Sequence, residues 1–314
     1  MQLYRPVIVK LGLCMIVRDE ARNIEACLGD VADSFDDIVV VDTGSRDETR
    51  RILKDTLGIE SLTYPIDEPF SFDKYVARNL AFERVDADWI LSLDADERIE
   101  RSEIEKFRET LGREETDGYF TRWTTYNPGD EVEDYKLSVF RKGYRSTGLV
   151  HENVQQFMRQ AGGRAGWTDF LHLRHYPDPG KLPFKRDFYK ECLRRAIEIE
   201  PHWYRYHWFL GYACFRGREL EIAEHFLDIA ASSRSLRFPV ECLNAHLVLA
   251  ALHAARNEQR QAKNLVCSGA EFLREVRQDF EVKVNFRFET WFADARDACA
   301  AGRYDRIKAY EFSA

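Results

Sequence analysis

Three carboxylates follow an apolar run near residue 90, and they are the clearest candidates for chemistry in this chain. Residues 88–97 read Asp-Trp-Ile-Leu-Ser-Leu-Asp-Ala-Asp-Glu. Asp94 and Asp96 are two positions apart, so on an extended backbone their side chains leave on the same face. Two like charges need a counter-ion, and Mg²⁺ and Mn²⁺ prefer oxygen ligands. The stretch therefore predicts a metal site with positions open to substrate phosphates, with a solvated acidic turn as the alternative. Glu97 is expected to begin a helix or to support the two aspartates.

The segments around this stretch alternate between strand-like and helix-like patterns. Buried strands are predicted at Leu11–Val17, Asp37–Asp42, Ser61–Ile66 and Trp89–Leu93, and helices at Ala21–Val31, Asp47–Leu57 and Phe72–Val85. Strands separated by helices in this way imply an α/β fold with a largely parallel sheet covered on both faces. Open sheets of this kind bind ligands at the carboxyl ends of their strands. Asp94 and Asp96 lie at such an end.

The pattern changes twice further along the chain. From Gly118 it is β-rich, with predicted strands at Tyr119–Tyr126, Tyr135–Arg141, Ser146–Val154 and Phe170–His175. Three prolines within residues 177–183 then break any regular structure. Beyond them, helical spacing begins near Phe184, Trp203, Leu220, Val240, Gln261 and Trp291. We therefore predict a domain over residues 8–178 and an all-α domain over 184–314. The helical part resembles tetratricopeptide repeats, with small residues where helices cross; a generic helical bundle is the alternative.

Composition favours an ordinary globular enzyme. The 314 residues are 45% hydrophobic and carry a net charge of −8, which disfavours a nucleic-acid partner. Seven scattered cysteines include no C-x-x-C pair, which favours reduced thiols over disulfides or a zinc site. No apolar run reaches the roughly 18 residues of a membrane span. We expect a cytoplasmic protein that could still contact a membrane surface or self-associate through its helical part.

Five motifs in series make the first half similar to the family 2 glycosyltransferases. They lie, in the order typical of that family, at Leu13–Glu20, Val39–Thr49, Ala77–Asn79, Trp89–Glu97 and Leu149–Glu152. The resemblance covers roughly residues 10–176. It implies a GT-A (Rossmann-like) fold and transfer of a sugar, with inversion, from a nucleotide-sugar, usually a UDP-sugar. The Q-x-x-R-W motif of processive synthases is missing from the sequence, so addition of a single sugar is expected.

The resemblance also implies a nucleotide pocket. Asp42 would bind the uracil ring, because a carboxylate can accept the imide N–H. The alternative is that Asp42 caps a helix beginning near Arg46. Val17 and Glu20 would line the same pocket. Arg78 would contact the nucleotide base or diphosphate, where a guanidinium suits planar and anionic partners.

The remaining assignments concern metal and proton transfer. By resemblance, Asp94 and Asp96 would hold Mg²⁺ or Mn²⁺ at the donor diphosphate, and His175 or His172 would be a third ligand. Glu152 would be the base that deprotonates the acceptor. The alternative base is Asp134, within an acidic run over residues 130–134 that is otherwise expected to be a solvated loop.

Two other functions remain open at this stage. A sugar-phosphate nucleotidyltransferase also uses acidic metal ligands, but it normally has a Gly-rich loop after the first strand, where this chain reads Val-Arg-Asp-Glu-Ala-Arg. A helical-repeat scaffold with an inactive transferase domain should have lost Asp42, the aspartate pair or Glu152. For a transferase, the acceptor would be a cell-envelope glycan, a lipid-linked sugar or a peptide.

Overall fold

The structure is a computed structural model, and it describes residues 9–66, 71–111, 115–127, 130–178, 182–279 and 287–309. The chain divides into two compact units, one up to residue 180 and the other from residue 181. Within the described ranges, no helix is both long and apolar enough to cross a membrane.

The described part of the first unit contains one mixed sheet of eight strands in the order β3-β2-β1-β4-β7-β6-β8-β5. Their bounds are β1 Leu11–Val17, β2 Asp37–Asp42, β3 Leu62–Thr63, β4 Trp89–Ser92, β5 Glu97–Arg98, β6 Gly118–Asn127, β7 Asp130–Arg141 and β8 Ala165–His175. Strand β1 pairs in parallel with β2 on one side and with β4 on the other. The chain therefore passes from β1 to β2 and β3 on one side and returns to β4 on the other side. This reversal of the strand order opens a crevice at the carboxyl ends of β1 and β4.

The predicted parallel arrangement is confirmed for β1 to β4 and ends at β7. Strand β7 runs antiparallel to β4, with Ile90 opposite Phe140, and then forms a hairpin with β6. Strand β8 runs parallel to β6 and carries β5 at the edge. The consequence for the site is that β7 brings its side chains directly beside the end of β4.

Helices cover both faces of this sheet. They are α1 Ile24–Leu28, α2 Thr49–Arg51, α3 Lys74–Arg84, α4 Arg101–Arg108 and α5 Gln155–Gln160. α1 and α4 bury Ile24 and Phe107 in one core cluster, while α3 and α5 bury Ala81 and Met158 in another. Burying a large apolar side chain contributes roughly 1.5–3 kcal/mol, so the two clusters hold the helices on the sheet. The helix predicted over Asp47–Leu57 begins at Thr49, and after Arg51 it continues as a π-helical turn over Ile52–Thr56.

Two predictions in the β-rich region are wrong. Ser146–Val154 is not a strand: it is a loop with a single bridge between Thr147 and Asn153. Gly148 and His151 in this loop have φ of 108° and 54°, which an extended strand does not allow. The acidic run over residues 130–134 is not a loop but the start of β7, where Asp134 pairs with Trp123 of β6.

The second unit consists of consecutive helical hairpins, as predicted. Its helices are α6 Leu182–Ile199, α7 Tyr204–Arg216, α8 Leu220–Ser233, α9 Pro239–Ala255, α10 Gln259–Asp279 and α11 Arg287–Ala300, and each packs on the next. Glycines lie at two of the crossings: a Cβ on Gly211 would approach Leu227 to 2.8 Å, and one on Gly269 would approach Phe292 to 2.5 Å. The aromatic residues of α7, among them Tyr206 and Trp208, are buried in this unit. They are packing residues, as the repeat pattern indicates.

Candidate active site

A tight turn at the carboxyl end of β4 carries the three carboxylates. The backbone N–H of Asp94 donates to Glu97 Oε2 over 2.8 Å, and the N–H of Glu97 donates back to the carbonyl of Asp94 over 3.0 Å. Glu97 is only 1% exposed and also accepts a hydrogen bond from Trp123 Nε1 at 2.7 Å. Glu97 therefore supports the aspartates rather than beginning a helix. The turn is held in shape by its own buried carboxylate.

Two cations converge on Asp94. Arg78 of α3 donates to Oδ1 over 3.2 Å, and Lys136 of β7 donates to Oδ2 over 2.9 Å. Lys136 also reaches Glu97 Oε1 at 2.7 Å. Burial by itself would raise the pKa of Asp94, but Lys136 and Arg78 outweigh it and hold this pKa well below its usual range. Burial would likewise lower the pKa of Lys136, yet Asp94 and Glu97 raise it. Asp94 and Lys136 are therefore both ionised at neutral pH.

Arg78 links this turn to Glu152. Its Nη2 lies 3.6 Å from Glu152 Oε1, and its Nη1 donates to Ser92 Oγ over 3.1 Å. The side chains of Arg78 and Glu152 are 14% and 13% exposed. Asp73, five positions before Arg78 in the chain, accepts a hydrogen bond from Ser71. The structure thus brings Arg78, Asp94 and Glu152 together, although they are far apart in sequence.

The loop that presents Glu152 is anchored to α3. Asn79 Nδ2 donates to the carbonyl of Ser146 over 3.0 Å, and the N–H of Ser146 donates to Asn79 Oδ1 over 2.7 Å. His151 has a positive φ of 54°, which is uncommon for a residue other than glycine. The backbone therefore turns sharply immediately before Glu152.

Asp96 faces His175 of β8. Asp96 Oδ2 lies 3.3 Å from His175 Nε2. The other ring nitrogen, Nδ1, is 3.1 Å from Thr125 Oγ1, and the ring stacks on Trp123 with centroids 5.0 Å apart. A histidine oriented through its second nitrogen is typical of metal ligands. His172 lies elsewhere, with its Nε2 2.7 Å from Thr124 Oγ1.

The Asp96–His175 pair fits two ligands of a divalent cation. Neighbouring ligand atoms around an octahedral ion with bonds of about 2.1 Å are separated by about 3 Å, close to the observed spacing. Asp94 differs, since both its oxygens contact side-chain cations. Within the described residues, no three His, Cys, Asp or Glu side chains are grouped as a metal cage. A cation held by this pair would therefore need ligands from outside the described residues, such as phosphate oxygens or water.

Asp42 lies at the carboxyl end of β2, and its two carboxylate oxygens differ in their hydrogen bonding. It is 1% exposed, and its Oδ1 accepts hydrogen bonds from the N–H groups of Gly44 and Ser45, both at 3.0 Å. Its Oδ2 is buried and has no partner among the residues that the structure describes. The nearest helix begins only at Thr49, so the helix-cap interpretation is wrong. A buried oxygen without a donor is costly unless a ligand supplies one.

Val17 and Glu20 flank Asp42 from the end of β1. The carbonyl of Val17 accepts hydrogen bonds from the Thr43 backbone N–H at 2.9 Å and from its hydroxyl at 3.0 Å. Glu20 accepts from Asn23 Nδ2 at 2.7 Å, and its own N–H donates to Thr49 Oγ1 over 2.8 Å. These contacts tie the segment after β1 to the segment after β2. Val17 thus lies directly beside Asp42 in the sheet, while Glu20 contacts Thr49 in the segment that follows Asp42.

Asp134 and Lys136 are the β7 residues that concern this site. Alternation along β7 puts both on the face that also carries Trp123. Asp134 is exposed, so it stays a possible base. The sequence interpretation missed Lys136, because its partner Asp94 lies 42 residues away in the chain.

Comparison with known proteins gives the family. Residues 13–171, about half of the chain, match the family model described as glycosyl transferase family 2. The chain belongs to this family. All five motifs quoted above lie within the matched residues, so the resemblance seen in the sequence is confirmed. The eight-stranded sheet with its flanking helices is accordingly the GT-A, Rossmann-like domain of a family 2 member.

Individual relatives cover only parts of the chain. A TPR repeat-containing protein of Synechococcus elongatus is 44% identical over 90 residues, 29% of this chain and 21% of that protein. The prophage-derived glycosyltransferase SunS of Bacillus subtilis is 35% identical over 82 residues, 26% of this chain and 19% of that protein. The chain thus spans about a fifth of the length of the curated relatives it matches. Among solved structures, S. aureus TarS 1–349 in complex with UDP-GlcNAc matches with a TM-score of 0.48 and 12% identity, covering 96% of this chain and 97% of that one.

Proposed function

We propose that this protein is an inverting, metal-dependent glycosyltransferase that moves a single sugar from a UDP-sugar to a cell-envelope glycan, a lipid-linked acceptor or a peptide. The observation that carries the proposal is the charged cluster in which Arg78 Nη2 lies within 3.6 Å of both Asp94 and Glu152. This cluster joins the end of β4, where α/β sheets bind their ligands, to a carboxylate that can act as a base.

The donor nucleotide would lie along the carboxyl ends of β1, β2 and β4. Asp42 Oδ2 would accept the imide N–H of uracil, which gives that buried oxygen the donor it lacks among the described residues. Val17 and Glu20 would border the base. Arg78 would contact the diphosphate, since a guanidinium binds anionic oxygens in a bidentate manner.

Transfer would proceed by a single displacement. The acceptor hydroxyl attacks C1 of the donor sugar from the face opposite the diphosphate, the C1–O bond to UDP breaks, and the configuration inverts. Glu152 takes the hydroxyl proton as the new glycosidic bond forms. Arg78, next to Glu152, would remain beside the leaving diphosphate. Asp134 on β7 is the alternative base.

Asp96 and His175 would hold the divalent cation, Mg²⁺ or Mn²⁺, with Asp94 beside them. When bound, the cation would supply positive charge against the negative charge that develops on the leaving UDP. Thr125 and Trp123 orient the His175 ring for this role. The buried Glu97 keeps the turn in the conformation that presents both aspartates.

The direct test is turnover of UDP-sugars to UDP with Mn²⁺, together with UDP binding by calorimetry to wild type and Asp42→Ala. We expect UDP affinity to fall by roughly 10- to 100-fold in the variant, the scale of a hydrogen bond to a charged group. ADP, which lacks the imide, should bind both proteins equally. Equal weakening of UDP and ADP would show that Asp42 only shapes its turn. Release of pyrophosphate instead of UDP would indicate a nucleotidyltransferase.

A further inference from the structure

Lys136 of β7 is a cation in contact with the turn that carries the proposed metal ligands. Its Nζ lies 2.9 Å from Asp94 Oδ2 and 2.7 Å from Glu97 Oε1. Arg78 contacts the other oxygen of Asp94 at 3.2 Å. Both oxygens of Asp94 therefore face positive charge before any ligand binds. Neither the five family motifs nor the roles assigned above include Lys136.

This charge has opposite effects on the two ligands of the site. A free divalent cation that approaches Asp94 and Asp96 is repelled by Lys136 at short range, and it must also compete with Lys136 for Asp94. A diphosphate is attracted by Lys136 and Arg78 together. The repulsion is offset when the cation arrives with a diphosphate, because the anionic oxygens neutralise the charge of the cation. The same oxygens occupy the coordination positions that Asp96 and His175 leave open.

We propose that Lys136 sets the order in which the site is loaded: it disfavours the free metal and favours entry of the metal together with the nucleotide diphosphate. Lys136 is a positioning residue, since it acts through Asp94 and Glu97. The inference rests on the proposed function, because it assumes that the diphosphate of a nucleotide-sugar occupies this turn.

A purely structural role predicts a different result. If Lys136 only held the turn together, loss of its charge would disorder Asp94 and weaken the binding of metal and of nucleotide alike. If Lys136 controls the potential of the site, loss of the charge strengthens binding of the cation and weakens binding of the anion. The two explanations therefore predict opposite changes in the affinity for the free cation when the charge of Lys136 is removed.

The experiment uses the full chain with Lys136→Gln, which keeps an amide donor for Glu97 but removes the charge. Free Mn²⁺ is titrated by electron paramagnetic resonance without nucleotide, and UDP is titrated by calorimetry in EDTA. We expect Mn²⁺ affinity to rise and UDP affinity to fall, each by about tenfold or more, because a unit charge lies a few ångströms from each ligand. In wild type, adding UDP should tighten Mn²⁺ binding by at least about tenfold.

Two control variants isolate the charge at this position. Lys136→Arg keeps the charge and should bind Mn²⁺ and UDP as wild type does, within about threefold. Lys10→Met removes an exposed lysine that pairs with Asp86 at 2.8 Å on the surface, and it should change neither affinity.

Several outcomes would overturn the inference. One is a folded Lys136→Gln that binds Mn²⁺ no more tightly than wild type. Another is a wild type that binds Mn²⁺ equally well with and without UDP, which decides the matter even if the variant does not fold. Failure of wild type to bind UDP at all would instead reject the proposed function. The Mn²⁺ titrations without nucleotide would then still show whether Lys136 repels the cation.

Discussion

Glu97 offers the sharpest test of how the turn after β4 is built. Glu97→Ala removes a carboxylate that is 1% exposed and accepts hydrogen bonds from Trp123, Lys136 and the N–H of Asp94. Lys136 keeps its contact with Asp94, but two buried donors lose their partner, at about 1–3 kcal/mol each. Breaking a buried ion pair costs about 3–5 kcal/mol on the same scale. We therefore expect the unit to lose roughly 3–5 kcal/mol of its free energy of unfolding, or roughly 6–20 °C in Tm for a unit of this size.

Scanning calorimetry measures this loss. Because two units can melt separately, hydrogen exchange of peptides from β4 and β6 assigns the transition to the first unit. The control is Glu60→Ala, which removes an exposed ion pair with Lys54 at 3.2 Å and should cost less than about 1 kcal/mol. If Glu97→Ala costs no more than this control, the buried carboxylate does not support the turn, and the reasoning about Asp94 and Lys136 fails with it.

Three further outcomes follow from the site. Glu152→Gln should lower kcat by about 10²-fold or more with donor affinity unchanged, whereas Asp134→Asn should have little effect; the reverse result in acceptor-transfer assays would move the base to β7. Asp96→Asn should abolish Mn²⁺-dependent release of UDP, and activity that persists in excess EDTA would contradict the metal assignment. The pKa of Asp94 is held below its ordinary value of about 3.9, so its contribution to stability is complete well above that pH and is lost as the pH falls towards the lowered value. In urea unfolding between pH 3 and 7, the stability difference between wild type and Asp94→Asn should therefore be widest near neutral pH; an equal difference at all pH values would contradict the lowered pKa.

The parts of the fold that sequence reasoning found are those where one element carries its own signal. Leu11–Val17 and Asp37–Asp42 are strands with the predicted bounds. A short continuous apolar run flanked by polar residues is typical of a buried strand. The carboxylates at 94–97 were found because an apolar strand ends abruptly in charge. In each case the information is local.

What sequence reasoning missed depends on partners distant in the chain. Lys136 looks like any surface lysine until β7 is placed beside β4, and its 42-residue separation from Asp94 leaves no local signal. The loop before Glu152 looked like a strand because Val150 and Val154 are β-branched, while the positive φ of Gly148 and His151 is visible only in three dimensions. The acidic start of β7 was expected to be a loop, because its many charged residues obscure the alternation of apolar and polar side chains along the strand.

Neighbouring positions on α3 hold two parts of the site at once. Arg78 contacts Asp94 and Glu152, while Asn79 fastens the backbone of Ser146 in both directions. Because α3 buries its alanines against the sheet, the packing of this one helix positions both the turn, through Arg78, and the loop, through Asn79. The spacing between the turn that carries Asp94 and the loop that carries Glu152 therefore depends on how this one helix packs on the sheet. A substitution on the buried side of α3, far from any ligand, should then change the reaction rate more than the binding of either substrate.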